Sequence, residues 1–181
     1  MMNQAAAPPL GAQLLGEILM AEAGLTQQHL QHALAKQAED GGLLGEVLLG
    51  MKAIDEVQLV RALAIQYDEL FVDKLPAVDD VPEELIKNIP IHFAKQHGIM
   101  PYAVVEDERV LVAMSDPLAL DVLDDVGVMV DAPVDPVMAP PAVILDLINK
   151  AYGRLRQGAD LGSEGGEDEE FGDSEELVDI L

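Results

Sequence analysis

The sequence predicts an α+β fold. Its first part is a four-helix unit made of two tandem helix-pair repeats, its second a small three-stranded sheet with helices packed on it, and its last a disordered acidic tail. Three observations carry this expectation. A stretch of 24 residues occurs twice, 29 positions apart: LLGEILMAEAGLTQQHLQHALAKQ from Leu14 to Gln37, and LLGEVLLGMKAIDEVQLVRALAIQ from Leu43 to Gln66. From Phe71 onward the helical period gives way to short β-like runs between Pro, Gly and Asp. After Arg156 there is no Lys or Arg, and ten Asp or Glu follow.

Each repeat reads as a pair of helices. In copy one, Leu14, Leu15, Ile18 and Leu19 form an apolar stripe that Gly24 breaks, and Thr26 supplies an N-cap hydroxyl. Leu30, Ala33 and Leu34 then make the buried face of a second helix, which Gly41 and Gly42 end. Copy two repeats the pattern with Asp55 as N-cap and Leu59, Ala62 and Leu63 as the face. The pairs Leu15/Leu44, Gly16/Gly45, Glu17/Glu46, Leu19/Leu48, Leu30/Leu59, Ala33/Ala62, Leu34/Leu63 and Gln37/Gln66 are identical. A core asks only for apolar residues at helical spacing, so the repeated Gly, Glu and Gln point to one surface built from two equivalent halves.

The helical unit is expected over 11–70, behind a disordered start at 1–10, and the α/β unit over 71–153. Within the latter, Val81 to Glu84 opens a short helix and Pro90 to Gln96 suggests another. Met100 to Val105 and Arg109 to Met114 are strands joined by the turn Glu106-Asp107-Glu108. Asp116 and Pro117 start a helix through about Val126, Val134 to Met138 is the third strand, and Pro141 starts a last helix to about Tyr152. The acidic tail occupies 154–181. Its final apolar residues, Leu177, Val178, Ile180 and Leu181, follow a block of acid and read as a short linear motif for a partner.

Composition removes whole classes of function. The net charge is -24, of which -14 belongs to residues 1–156, a surface that repels nucleic acid and anionic membranes. With no cysteine there is no disulfide framework, thiolate metal site or Cys catalysis, which fits a reducing cytoplasm. The start has no positively charged n-region, and no apolar run reaches the roughly 18–20 residues that span a bilayer. The chain is therefore expected to be soluble and cytoplasmic. His29 and His32 lack a further metal ligand at zinc spacing, and Asp121, Asp124 and Asp125 read as a solvated helix face beside a capping Asp116. No Ser/His/Asp set or paired carboxylate stands out, so no catalytic residue and no metal ligand is assigned.

Beyond these element-level readings, the two LGExL…L…AL..Q copies, the block IPIHFAKQHGIMPYAVVEDERVLVAMSDPLALDVLDDV and the segment VDPVMAPPAVILDLINKAYG are together specific. Over 11–153 the chain resembles the N-terminal domain of type II secretion and type IV pilus assembly ATPases. The motor that follows this domain in the relatives would need a G-x-x-x-x-G-K-[ST] loop, and these 181 residues have none. The resemblance thus implies a non-enzymatic adaptor or regulator that docks a protein of a secretion, pilus or related motility assembly.

Some members of that family bind cyclic di-GMP through the duplicated motif, and this is the alternative reading. It would place the dinucleotide against Leu15, Gly16, Glu17, Leu19 and Gln37 of copy one and Leu44, Gly45, Glu46, Leu48 and Gln66 of copy two. Glycines at a helix start admit a phosphate to backbone N–H groups, leucines contact guanine, and glutamines supply amide hydrogen bonds. One departure counts against it: binding members carry Arg before the Leu-Gly pair, where this chain has Leu14 and Leu43. The guanidinium would supply both charge and a stacking plane. No other cofactor is implied.

Overall fold

The computed structural model describes residues 14–162, with side chains as far as residue 158. The expectations for 1–10, and for the acidic tail beyond Gly162, lie outside these residues.

The repeats form α1 (Leu15–Glu22), α2 (Gln27–Asp40), α3 (Leu44–Gly50) and α4 (Glu56–Tyr67). Their ends follow from local chemistry. Thr26 Oγ1 accepts the His29 N–H at 3.2 Å, and Asp55 and Gln58 exchange hydrogen bonds of 2.8 and 2.9 Å in a capping box. Gly41, at φ 77°, closes α2 in a conformation that a side chain would resist. Helix α1 packs on α4 and α2 on α3. Ile18, Leu19, Leu25, Ala33, Leu48, Ile54 and Ala62 make the core between them.

The second half contains α5 (Glu83–Asn88), α6 (Ile91–His97), β1 (Met100–Val104), β2 (Val110–Met114), α7 (Leu120–Val130), β3 (Val134–Met138) and α8 (Pro141–Gly162). Strands run in the order β1-β2-β3. The first pair is antiparallel across the acidic turn, where Asp107 and Glu108 take φ of 59° and 57°. The second is parallel, in register from Val110↔Val134 to Met114↔Met138, so α7 serves as the crossover that a parallel pair needs. The sheet's core takes Ile86, Ile89, Ile99, Met100, Val112, Val126, Ile144 and Ile148.

Two connections fix one half against the other. Helix α4 faces both cores: Ala62 lies in the first, Val60 and Ala64 in the second. The segment after α4 then joins the sheet edge. Leu70 O accepts the Met138 N–H at 2.7 Å, Val72 N–H donates to Met138 O at 2.9 Å, and Arg61 lies 4.7 Å over the Phe71 ring. Beside this joint Arg109 grips Asp135 with two hydrogen bonds, which hold the Asp135 carboxyl below its ordinary range. Burial, followed by the charges of Asp68 and Asp135, raises that of Glu69.

Three element-level expectations need correction. Leu34 was expected on the buried face of α2 but is 45% exposed, because none of the described residues covers the outer side of that helix. Helix α7 begins at Leu120 rather than at Asp116. Asp116 Oδ1 instead accepts the Leu118 N–H at 2.9 Å and shapes the preceding turn, and α7 then continues to Val130. Helix α8 passes Tyr152 and Gly153 and reaches Gly162. Tertiary contacts outweigh the glycine there: Arg154 donates to Val78 O and Val81 O, and Tyr152 Oη donates to Ile89 O at 2.5 Å. Burial pushes that tyrosine's pKa up to about 12.

Ala35 and Ala64 occupy the same place in the two repeats, yet Ala35 is exposed and Ala64 is 1% exposed. Ala64→Lys should therefore cost at least about 2 kcal/mol, through overpacking and a buried charge, whereas Ala35→Lys should stay within roughly 0.5 kcal/mol. Urea unfolding of the two variants checks this; equal losses would contradict the packing described.

Candidate functional site

The repeated Gly and Glu have a structural role in both copies. An added Cβ on Gly16 would stand 2.8 Å from Leu30 Cδ1, and one on Gly45 2.7 Å from Leu59 Cδ1. Each glycine is the seat on which a leucine of the next helix rests. The glutamates cap: Glu17 Oε2 accepts the Leu14 N–H and Glu46 Oε2 the Leu43 N–H, each at 3.4 Å. Gln37 Nε2 donates to Gly42 O at 2.9 Å and braces the turn between copies. Leu19 and Leu48, expected to touch a ligand, are wholly buried at 0% exposure and belong to the core.

What remains of the surface converges at copy two. A cleft of about 280 Å³ is lined by Leu15, Leu44, Gly45, Glu46 and Gln66 from the predicted set. Leu43, Leu59, Leu63 and Tyr67 complete the helical wall, and Asp116, Pro117 and Leu118 form the opposite one. Gly16, Glu17 and Gln37 of copy one do not line it. The fold explains the difference between copies: α4 is packed against the α/β unit, so the turn between β2 and α7 faces copy two.

The Asp116-Pro117-Leu118 turn was missing from the predicted site, although it opens the SDPLALDVLDD block that carried the resemblance. Only proximity in space links it to residues 70 positions earlier. The cleft is mainly apolar; Leu43 at its mouth is 61% exposed and Leu118 is 63% exposed. Among the described residues its lining includes the carboxylates of Glu46 and Asp116 and no Lys, Arg or His.

Other features add little. A hollow of about 370 Å³ between α6 and α8, lined by Ile91, Tyr152, Leu155 and Arg156, holds none of the predicted residues. Among the described residues no group of three or more His, Asp or Glu is placed to hold a metal, and no helix is long and apolar enough to cross a membrane. Leu177, Val178, Ile180 and Leu181 lie outside the described residues.

Comparison with known proteins bears on this arrangement. The family model of the MshEN domain matches residues 71–158. The chain carries an MshEN domain. The type IV pilus assembly ATPase PilB of Myxococcus xanthus is 29% identical over 142 residues, 76% of this chain and 24% of that protein. PilB of Thermus thermophilus is 31% identical over 151 residues, 81% of this chain and 16% of that protein. The chain thus spans a quarter or less of the length of these relatives.

Solved structures agree on the fold. The structure of MshE with cdg (cyclic di-GMP) superposes with a TM-score of 0.60 at 24% identity, over 77% of this chain and 99% of that one. The N-terminal domain of XpsE gives 0.52 at 20% identity, over 75% and 91%. The α+β architecture expected from the sequence is therefore that of the N-terminal domain of secretion and pilus assembly ATPases. The MshEN match begins after the duplicated helices, so the cleft has one wall inside the matched segment and one wall before it.

The seat at Gly45 can be tested by coupling. Gly45→Ala should be better tolerated in a Leu59→Ala background than alone, with a coupling energy of about 0.5–3 kcal/mol. A double-mutant cycle read by chemical denaturation measures it. Additive effects would mean that the leucine does not rest on the glycine.

Proposed function

We propose that this chain is a non-enzymatic regulatory and docking module of a type IV pilus, type II secretion or related motility assembly, working in the cytoplasm. One observation carries the reading: the duplicated motif and the β2–α7 turn meet in one mainly apolar cleft, whose charged side chains among the described residues are the carboxylates of Glu46 and Asp116. A cleft with exposed leucines at its mouth is a protein-docking feature rather than a catalytic one. The resemblance to pilus assembly ATPases supports the choice of assembly.

A receptor for cyclic di-GMP is the second reading. It is favoured by the fold neighbour MshE, whose structure contains that ligand, and by the presence of half of the ten motif residues in the cleft. The chemistry weighs against it. Such a ligand brings two phosphates, and the cleft offers Glu46 and Asp116, with leucine at both positions where a guanidinium would help.

Calorimetry with cyclic di-GMP separates the two. The natural chain should bind weakly or not at all, and Leu14→Arg together with Leu43→Arg should strengthen binding by at least roughly tenfold, since a charge-assisted contact is worth about 1.5–3 kcal/mol. Tight binding by the unchanged chain would reverse the order of the two readings. A pull-down of the full chain against the proteins of such an assembly then tests the docking role itself.

A further inference from the structure

The chemistry of the cleft specifies what docks there. Its floor and helical wall are Leu15, Leu44, Leu59 and Leu63, with Tyr67 at the edge, and Pro117 and Leu118 close it from the α/β unit. At about 280 Å³ it has room for a few side chains presented by a larger partner. Leu43 and Leu118 stand exposed on opposite lips, so a partner laid across the mouth would bury both.

The rim sets the sign of the partner's charge. Glu46 and Asp116 are the charged lining residues, and both carboxylates are exposed. Each gives one oxygen to a backbone N–H, of Leu43 and of Leu118, and has a second oxygen for a donor from outside. The charge of the whole chain adds to this local field. A second copy of the chain would bring the same sign to the rim. So would residues 157–181, which hold ten carboxylates and no Lys or Arg.

We infer that the cleft receives a cationic amphipathic segment of a protein partner. An aliphatic or aromatic side chain enters between Leu43, Leu63, Tyr67 and Leu118, and Lys or Arg of the same segment meets Glu46 and Asp116. This rests on the docking reading above and goes beyond it by naming the partner's chemistry. Burial of the apolar anchor holds the complex, while the carboxylates orient it and exclude acidic partners.

The test is an NMR titration of the isotope-labelled full chain with a helix-forming peptide of about 16 residues, leucines at helical spacing and lysines elsewhere. A twin peptide carries glutamate for lysine. At about 0.15 M salt the lysine peptide should shift the amides of Leu43, Glu46, Tyr67 and Leu118, and the twin should not. Leu43→Ser with Leu118→Ser should weaken binding by roughly tenfold or more without lowering the melting temperature, because both side chains are exposed. Glu46→Gln with Asp116→Asn, which keeps an acceptor for each backbone N–H, should weaken binding and flatten its salt dependence. Equal binding of the glutamate peptide in the cleft would overturn the charge assignment and leave the docking reading standing. Shifts confined to residues 157–181, with the cleft silent to both peptides, would overturn the inference, and the pull-down would still judge the docking role.

Discussion

Helix α4 is the constraint on which the rest of the structure depends. It is the one element of the repeats that buries residues in both cores, with Ala62 turned to the helical unit and Val60 and Ala64 to the sheet. Its C-terminal end continues directly into the Leu70–Val72 segment, which hydrogen-bonds to Met138 at the edge of β3. Because α4 carries Leu59, Leu63, Gln66 and Tyr67 of the cleft, this double attachment aims the copy-two surface at the β2–α7 turn. Copy one has no such anchor. Gln31 and Ala35, the counterparts of Val60 and Ala64, are exposed, and the outer side of α2 faces solvent.

The duplication therefore encodes architecture first. Gly16 and Gly45 seat leucines at nearly the same distance, Glu17 and Glu46 cap at the same distance, and Leu19 and Leu48 are equally buried. These identical residues perform the same folding tasks in both copies. The copies differ in their surroundings: the second lines the cleft opposite the Asp116-Pro117-Leu118 turn with residues of both its helices, and the first contributes Leu15. Two tandem helix pairs can thus share one packing rule and yet present different surfaces among the described residues.

Much of this was legible in the sequence. The N-caps Thr26 and Asp55, the break at Gly24, the stop at Gly41 and the bounds of β3 are local signals, and the structure places them as read. Errors came where a distant contact outweighed a local one. Leu34 repeats Leu63, but burial depends on the neighbour that only α4 has. The last helix reads as ending near Tyr152, yet Arg154 and Tyr152 tie the continuing helix to Val78, Val81 and Ile89. For the site, periodicity identified one wall and gave no hint of the other, since nothing local connects Leu43 with Leu118. For the repeated Gly and Glu the sequence leaves two roles open: a residue that appears twice in equivalent places serves a capping or packing need as readily as a ligand.

Helix α4 makes one cooperative structure of the repeats and the sheet, and so holds the cleft's two walls at a fixed separation. Native-state hydrogen exchange in increasing denaturant tests it most directly. The slowest amides of α1, α4 and β2 should converge on a single opening free energy, that of global unfolding. If α1 and α4 instead opened together at a distinctly lower free energy while β2 stayed protected, the two walls would belong to independent units, and the cleft would not be a fixed feature of this fold.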